Sequence, residues 1–320
     1  MTNRLLHTTL ILVLTFFITI PVAAQRNAPI TEQNIRAELG FLASDAMQGR
    51  GSGTIYERIA AEYIASQFRQ FGLEPGGDTD SAGNKDYVQS VSLKSSTTWN
   101  VIGVLKGSQP GEAIMLSAHL DHLGVRNSLT GDKIFNGADD DASGCVAVLE
   151  LARVLAAGKR PKRTIYFICF GSEEIGGDGS QYFIEHSPLP LTQIIADLTF
   201  EMLGRPDAKV PAGTLWLTGF ERSNLGPELA RHGAALVADP HPEQNFFRRS
   251  DNYPLALRGV IAHTVSSFGL HKDYHRVSDE ISKIDFPFMT RSLNSLVKPV
   301  QWLANSNFRP AWLPGQAPTR

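Results

Sequence analysis

Residues 137–170 read GADDDASGCVAVLELARVLAAGKRPKRTIYFICF, and the fold class follows from the two apolar runs inside them. An amphipathic run predicts a helix over 144–157, and a continuous apolar run predicts a buried strand over 164–170. The same alternation continues on both sides, with strands predicted at 99–105, 113–119, 194–202, 214–218 and 260–266 and helices at 179–186, 227–235 and 286–305. Continuous apolar strands interleaved with helices indicate the α/β class, here a three-layer α/β/α sandwich around a mixed, largely parallel central sheet.

The two ends of the chain carry weaker patterns. Residues 25–90 are predicted to be mainly helical, because Thr54 and Glu57 form a capping-box pattern before apolar residues at helical spacing. Residues 76–85 are rich in turn-forming types and predict a loop. The tail 310–320 is rich in proline and is predicted to be loose.

Composition excludes several classes of protein. With 320 residues, 42% of them hydrophobic and 19% charged, the chain has a globular composition and is not disordered, collagen-like or coiled-coil. Its 30 Lys and Arg and 32 Asp and Glu leave a formal net charge of −2, so it has no basic excess with which to bind nucleic acid. Two cysteines are too few for a cysteine-rich zinc module, so a metal ion would be held by histidines and carboxylates.

Residues 1–24 have the pattern of a secretory signal peptide. Arg4 precedes a nearly uncharged apolar run at 8–20, and small residues lead to a predicted cleavage site after Ala24. A retained membrane anchor is the weaker alternative, because the run falls short of the roughly 20 apolar residues that span a bilayer. We therefore expect an exported protein, periplasmic or extracellular and free of the membrane after cleavage, whose residues 25–320 form one domain.

Unusual polar clusters follow the predicted strands, where α/β proteins carry their functional loops. The first is SAHLDH, residues 117–122, at the end of the strand 113–119. His119 and Asp121 are two residues apart and share one face of a strand, so the carboxylate can orient the imidazole as a metal ligand requires. Taken alone, a histidine at a strand end is more often a hydrogen-bonded structural residue.

The second cluster is GADDDASG, residues 137–144, before the predicted helix. Its three adjacent aspartates repel one another, and a divalent cation would relieve that repulsion. The alternative is a solvated turn that caps the helix.

The third cluster is the pair Glu173 and Glu174, where the strand 164–170 runs into GSEEIGG. Adjacent side chains at a strand end diverge, so one carboxylate can bind a metal ion while the other acts as general base on a water. A surface acidic pair is the alternative.

Two weaker clusters complete the set, with Glu201 at the end of the strand 194–202 and His275 after the strand 260–266. The five chain segments together offer donors in the order His, Asp, Glu-Glu, Glu, His. Mixed nitrogen and oxygen ligands suit zinc, and two zinc ions bridged by one carboxylate need about this many ligands. The sequence therefore predicts a two-zinc site.

The order and the residues of these motifs resemble those of the co-catalytic di-zinc aminopeptidases, the secreted bacterial leucyl aminopeptidase group of peptidase clan MH. That group shares a superfamily with glutamate carboxypeptidase and glutaminyl cyclase. GADDDASG is the most specific match, HLD, SEE and the late YH support it in the right order, and MQGRGSG and RRSDNYP resemble further family segments. The resemblance covers most of residues 30–290 and implies the zinc-dependent exopeptidase fold without an inserted protease-associated domain.

The resemblance also implies roles for individual residues. The implied ligands of one zinc ion are His119, Asp140 and Glu201. Those of the other are Asp140, Glu174 and His275, so Asp140 would bridge the two ions. Glu173 would be the general base and Asp121 would orient His119, whereas Asp139 and Asp141 would not be ligands.

This chain departs from the family pattern at two positions. Glu201 stands where the family usually has Asp, and the side chain is one methylene longer but still a competent oxygen ligand. Residues 275–279 read HRVSD in place of the more common His-x-Pro-x-Asp, so the loop after His275 can differ in shape. Neither departure removes a type of ligand.

The remaining histidines and the late aromatic residues receive other predictions. No ligand role is predicted for His122, His263 or His271, and the predicted surface histidines are His186, His232 and His241. Four aromatic residues near the late loops would line a specificity pocket or pack in the core: Phe247, Tyr253, Phe268 and Tyr274.

The expected function is that of a secreted zinc exopeptidase that hydrolyses the N-terminal peptide bond of peptides, with a water activated by two zinc ions and Glu173 as general base. Three alternatives stay open. A glutaminyl cyclase-like aminoacyltransferase would use one zinc ion, a carboxypeptidase or dipeptidase relative would cleave elsewhere, and an inactive homologue would only bind. The expected partners are peptides with a free amino terminus.

Overall fold

The structure, a computed structural model, describes residues 28–319. A nine-stranded mixed sheet runs through the centre of this part of the chain. Two further strands, β5 and β6, form a separate two-stranded sheet. In chain order the strands of both sheets are β1 (Glu74–Pro75), β2 (Val88–Ser92), β3 (Thr97–Leu105), β4 (Ala113–His119), β5 (Gly124–Val125), β6 (Ile134–Phe135), β7 (Thr164–Phe170), β8 (Ile194–Phe200), β9 (Leu215–Leu217), β10 (Leu236–Ala238) and β11 (Ala262–Ser266). The α-helices are α1 (Glu32–Leu42), α2 (Ile55–Gln70), α3 (Gly144–Ala156), α4 (Asp178–Glu185), α5 (Leu225–Arg231), α6 (Asn252–Ala256) and α7 (Phe286–Asn305).

The central strands of the large sheet are parallel. The strand order is β1-β3-β7-β4-β8-β11-β9-β10, and β2 pairs with β3 at one edge. The pairs β7–β4, β4–β8 and β8–β11 are parallel, whereas β3–β7 and β11–β9 are antiparallel. The predicted mixed, largely parallel sheet is therefore confirmed.

Helices cover both faces of the sheet. In β4, Ile114 and Leu116 pack into the larger hydrophobic core, which also receives side chains from α1, α2, α3 and α7. The intervening Met115 packs into a second core with Phe183 of α4 and Leu255 of α6. Because neighbouring side chains of a strand point to opposite faces, this alternation creates the three layers.

Most predicted elements agree closely with the structure. The predictions 113–119, 164–170 and 286–305 coincide with β4, β7 and α7, and the helix predicted over 144–157 ends one residue earlier. The strand predicted over 194–202 ends at Phe200, because Met202 adopts a left-handed backbone (φ 56°) that a strand cannot contain.

Two predictions about the chain ends are wrong. The section 25–90 is only partly helical, since it also contains β1 and β2, which pair antiparallel with β3. The tail is docked at its start, where the Leu313 amide donates to the Arg222 carbonyl (2.8 Å) and Trp312 packs against His263 and Phe247. The predicted signal peptide, residues 1–24, lies outside the described residues and stays a prediction.

Within residues 28–319, no helix has both the length and the apolarity needed to cross a membrane.

Arg50 ties together the loops beside the candidate site. Its side chain is buried, with 1% exposed, and its guanidinium donates only to backbone carbonyls. Those acceptors belong to Leu42 (2.6 Å), Leu120 (2.9 Å), Asn136 (2.8 Å) and Gly137 (3.0 Å). Arg50 thus joins the end of α1 to the segments that contain HLDH and GADDDASG.

Arg50→Met should destabilise the fold by about 3–5 kcal/mol, because a side chain of similar size would leave four buried carbonyls without their donor. Urea unfolding followed by circular dichroism measures this change. The matched control is Arg231→Met, which removes an exposed ion pair with Glu228 and should cost less than about 1 kcal/mol. A loss below 1 kcal/mol for Arg50→Met would contradict the structural role of Arg50.

Candidate metal centre

The predicted donors meet at one edge of the sheet. His119 is the last residue of β4, the pair Glu173 and Glu174 follows β7, and Glu201 follows β8. These three strands are parallel neighbours, so their carboxyl ends lie side by side. His275 reaches the same place from the loop after β11.

A tight loop brings Asp140 to this edge. Gly137 has a left-handed backbone (φ 57°), and a Cβ there would lie 2.2 Å from the Asp140 carbonyl oxygen and 2.6 Å from the His122 ring, so only glycine fits. The peptide bond between Asp140 and Asp141 is cis. All three aspartates of the loop are buried, at 0–2% exposed, so the solvated turn is wrong.

Two of the three aspartates accept hydrogen bonds from backbone amides. Asp139 Oδ1 accepts from the Gly204 amide (2.7 Å), and Asp141 Oδ1 accepts from the Met202 amide (3.2 Å). Both amides belong to the segment that follows Glu201. Each carboxylate thus has one oxygen engaged by the backbone, and the absence of a ligand role for Asp139 and Asp141 stays a prediction.

The two oxygens of Asp140 face different donors. Oδ1 lies 3.3 Å from His119 Nε2, whereas Oδ2 lies 3.1 Å from His275 Nε2. His275 Nε2 is also 3.2 Å from Glu174 Oε2. Asp140 therefore stands between two sets of potential ligands.

The donor set fits zinc. Tetrahedral ligands at about 2.0–2.1 Å from zinc lie about 3.3–3.4 Å from one another, close to the three separations given above. His119 Nε2 and Asp140 Oδ2 are buried, and their contacts at 3.3 and 3.1 Å lack hydrogen-bond geometry, so neither atom has a hydrogen-bond partner among the described residues. Buried polar atoms are rarely left without a partner, and these two point to a cation between the side chains.

His122, for which no ligand role was predicted, lies within the site. Its Nδ1 is 2.7 Å from Glu174 Oε1 and 3.9 Å from Asp140 Oδ2. His122, Asp140 and Glu174 offer ligand atoms that all lie within 4.8 Å of one another. His122 therefore joins His275 as a histidine that contacts Glu174, on the opposite oxygen, and the sequence signal was its position directly after HLD.

Asp121 connects His119 to the pair of glutamates. Its carboxylate accepts the backbone amides of Glu173 (3.0 Å) and Glu174 (3.3 Å), and its Oδ1 lies 3.7 Å from His119 Nδ1. His119 Nδ1 is closer to the Asp121 carbonyl oxygen, at 3.1 Å. Asp121 thus holds the turn of Glu173 and Glu174 through its carboxylate and contacts the His119 ring through its backbone carbonyl. Orientation of His119 by the Asp121 carboxylate stays a prediction.

Burial and crowding shift the pKa values of the site. Burial, with the charges of Glu201 and Asp251 nearby, raises the pKa of Glu173 well above its usual range. Burial likewise raises the pKa of Glu201 to about 7. Against the effect of burial, the carboxylates of Asp140 and Glu174 raise the pKa of His275 to about 10. The site is a concentration of negative charge that favours cations.

The loop after His275 is hydrogen-bonded to the loop that carries Asp140. The Asp279 carboxylate accepts the backbone amides of Asp139 and Asp140, each at 3.1 Å. The HRVSD sequence therefore keeps its terminal aspartate in contact with the loop that carries Asp140.

Left-handed backbone recurs at the donor segments. Ser172 (φ 68°) precedes Glu173, Met202 (φ 56°) follows Glu201, and His275 itself has φ 53°. Non-glycine residues in this region cost of order 1–3 kcal/mol each and cluster at functional sites.

Most of the candidate metal ligands line a cavity, and four aromatic rings form its aromatic wall. This donor cavity is lined by Asp140, Glu173, Glu174, Glu201 and His275 and by the rings of Trp216, Phe246, Phe268 and Tyr274. Phe268 and Tyr274 were predicted as candidates for such a pocket, whereas Trp216 and Phe246 were missed. Phe247 packs into the second core instead.

The other histidines do not contact the candidate metal ligands among the described residues. His186 and His232 are exposed, as predicted. His241 is not a surface residue, since it is buried with its Nε2 2.7 Å from Asp207 Oδ2. His263 is buried against Ser223 and Thr218, and His271 contacts Asp139 (3.0 Å).

Comparisons with known proteins show which family the chain belongs to. Residues 100–298 match the model of peptidase family M28, which is more than half of the chain. Leupeptin-inactivating enzyme 1 of Streptomyces exfoliatus is 29% identical over 192 residues, which are 58% of this chain and 39% of that enzyme. An aminopeptidase of Pseudomonas aeruginosa is 32% identical over 123 residues, which are 38% of this chain and 21% of that protein. The chain thus spans well under half the length of these curated relatives.

Solved structures share the fold. The LapA aminopeptidase of Legionella pneumophila superposes with a TM-score of 0.66 at 23% identity, over 87% of this chain and 73% of that one. BSAP, a zinc aminopeptidase from Bacillus subtilis, gives 0.67 at 18% identity, over 88% and 97%. The glutaminyl cyclase of Porphyromonas gingivalis gives 0.67 at 18% identity, over 86% and 100%. With the family match over residues 100–298, the chain belongs to peptidase family M28.

Proposed function

We propose that the protein is a zinc-dependent aminopeptidase that holds two zinc ions. The observation that carries this proposal is the position of Asp140, whose two carboxylate oxygens contact separate donor sets. The names of its relatives, which include an aminopeptidase and probable zinc metalloproteases, support it.

Each zinc ion would have three protein ligands. His119, Asp140 and Glu201 would hold one ion, and Asp140, Glu174 and His275 would hold the other. The nitrogen and oxygen donors match the preferences of zinc, and three protein ligands per ion are typical of catalytic rather than structural sites. When bound, the ions would polarise the scissile carbonyl and lower the pKa of the attacking water.

Glu173 would be the general base. Its carboxylate lines the donor cavity, and its backbone amide is held by Asp121 at 3.0 Å. Burial and the neighbouring carboxylates raise the pKa of Glu173, which makes its carboxylate a stronger proton acceptor than that of an ordinary glutamate. Glu173 would take the proton of the water and pass it to the leaving amine.

The substrate would be a peptide with a free amino terminus. Glu174 and Glu201 border the donor cavity and can accept hydrogen bonds from an α-ammonium. The aromatic wall would contact the first side chain. This arrangement favours exopeptidase action at the amino end, with an apolar first residue.

Blocking the amino terminus should slow cleavage at least tenfold. Charge-assisted hydrogen bonds to the ammonium are worth roughly 1.5–3 kcal/mol each, and acetylation removes the charge and adds bulk. The measurement compares kcat/KM for Leu and Ala anilides with their N-acetyl forms. Ala belongs in the test because Glu201, one methylene longer than Asp, can crowd the amine site and favour small first residues.

Other outcomes would point to the alternatives. Equal rates on free and acetylated substrates would indicate an endopeptidase or carboxypeptidase. A product from an N-terminal Gln peptide that has lost ammonia but kept every residue would indicate a glutaminyl cyclase-like reaction.

A further inference from the structure

A second cavity adjoins the donor cavity at Glu173. The lining of this arginine cavity includes Glu173, Arg248, Arg249 and Asp251. Among residues 28–319, the two cavities share two lining residues, Glu173 and Arg249. Arg249 therefore stands at the boundary that a substrate crossing from one cavity to the other would pass.

The two cavities differ in charge. The donor cavity carries the carboxylates of Asp140, Glu174 and Glu201, and Arg249 is the guanidinium on its lining. The arginine cavity has two guanidinium groups, both on exposed side chains, and two carboxylates: Glu173, which it shares with the donor cavity, and Asp251, which is buried with 2% exposed. A zwitterionic ligand with its ammonium in the donor cavity would meet positive charge at its other end.

Arg249 is positioned by aromatic rings. Its guanidinium carbon lies 4.8 Å from the centre of the Phe246 ring, and Nη2 is 3.5 Å from the Tyr274 hydroxyl. Within residues 28–319 it forms no ion pair with a carboxylate, whereas Arg205 Nη1 lies 2.8 Å from Asp273. Arg249 thus keeps charged N–H donors available for a ligand.

We propose that Arg249 binds a carboxylate of the residue that follows the scissile bond, so that the protein prefers dipeptides or peptides with an acidic second residue. The inference rests on the proposed aminopeptidase function. With the α-ammonium at Glu174 and Glu201 and the scissile carbonyl beside Glu173, the second residue lies at the boundary between the cavities. The carboxylate of a dipeptide is then one residue, about 3.3–3.6 Å of extended chain, from the reacting bond. Arg249 lines the same boundary between the cavities as Glu173.

A guanidinium and a carboxylate can pair through two parallel hydrogen bonds. A loss of about 1.4 kcal/mol of binding free energy corresponds to a tenfold change in the binding constant. We expect kcat/KM for Leu-Gly to exceed that for Leu-glycinamide, which lacks the carboxylate, by about tenfold. In Arg249→Gln this ratio should fall to about one.

The matched control is Arg222→Gln. The Arg222 guanidinium carbon lies 4.9 Å from the Phe247 ring, a similar aromatic contact, but Arg222 lines neither cavity. This variant should keep the wild-type ratio. A third substrate, Leu-glutamic acid amide, carries only a side-chain carboxylate, and an Arg249-dependent preference for it over Leu-glycinamide would identify an acidic second side chain as the source.

Binding measurements test the role of Arg249 independently of the proposed aminopeptidase function. In the Glu173→Gln background, calorimetry measures the dissociation constants of Leu-Gly and Leu-glycinamide without turnover. A tenfold difference in dissociation constant that Arg249→Gln removes supports the inference, whether or not the wild type hydrolyses peptides. A wild type that hydrolyses no peptide would reject only the aminopeptidase function. A wild type that cleaves Leu anilide yet shows no carboxylate preference, or an unchanged ratio in Arg249→Gln, would overturn the role of Arg249 alone.

Discussion

The Asp140→Ala variant is expected to purify with almost no zinc and to lose nearly all peptide hydrolysis, because the ions that would polarise the carbonyl and activate the water are absent. Asp140 offers Oδ1 to the set that contains His119 and Oδ2 to the set that contains His275, at 3.3 and 3.1 Å. Removing its carboxylate leaves each set with two protein ligands, fewer than the three that catalytic zinc sites use. Both ions should therefore be lost together.

Elemental analysis after dialysis against zinc-free buffer measures this loss, with about two zinc ions per chain expected for the wild type. The control is Asp132→Ala, an exposed aspartate earlier in the same segment, which should keep both ions. Circular dichroism should show a folded chain in both variants. A full complement of zinc in Asp140→Ala would reject Asp140 as the shared ligand.

Glu173→Gln should fold, retain zinc and lose roughly 10²–10⁴ in kcat, the usual loss when a general base is removed. The amide keeps the shape of the side chain but cannot accept the proton of the attacking water. Zinc content and kcat for Leu anilide are the measurements. A near-normal kcat would assign the base to another residue.

Glu174→Gln is the matched comparison for Glu173→Gln. Glu174 contacts both His122 (2.7 Å) and His275 (3.2 Å), so its carboxylate belongs among the proposed zinc ligands. This variant should lose zinc as well as activity. The reverse pattern, with zinc lost in Glu173→Gln and kept in Glu174→Gln, would mean that the two glutamates have exchanged roles.

Elements with strong local signals could be predicted from the sequence. β4, β7 and α7 coincide with their predicted ranges, because continuous apolar runs and a proline near the start of α7 mark them within a few residues. β1 and β2 were missed because they depend on pairing with β3 and carry no long apolar run. Strands of this kind are defined by their partners rather than by their own residues.

The same distinction applies to the site. The donors could be predicted because each follows a buried strand or loop in a recognisable order. The position of His122 depends on Glu174, 52 residues later, and that of His241 on Asp207, 34 residues earlier. The aromatic wall joins Trp216 of β9 to Phe246 and to residues of the late loops, so only the folded chain assembles it.

The donors at the metal centre are spread along the chain from His119 to His275, on the ends of β4, β7 and β8 and on two loops. No short fragment contains them all, so zinc ions held at this candidate site would bind the native state far more tightly than the unfolded chain. For each ion, every tenfold rise in free zinc above the dissociation constant then adds about 1.4 kcal/mol to the free energy of unfolding. Zinc supply would thus govern how long the folded enzyme survives proteolysis, in addition to whether it is active.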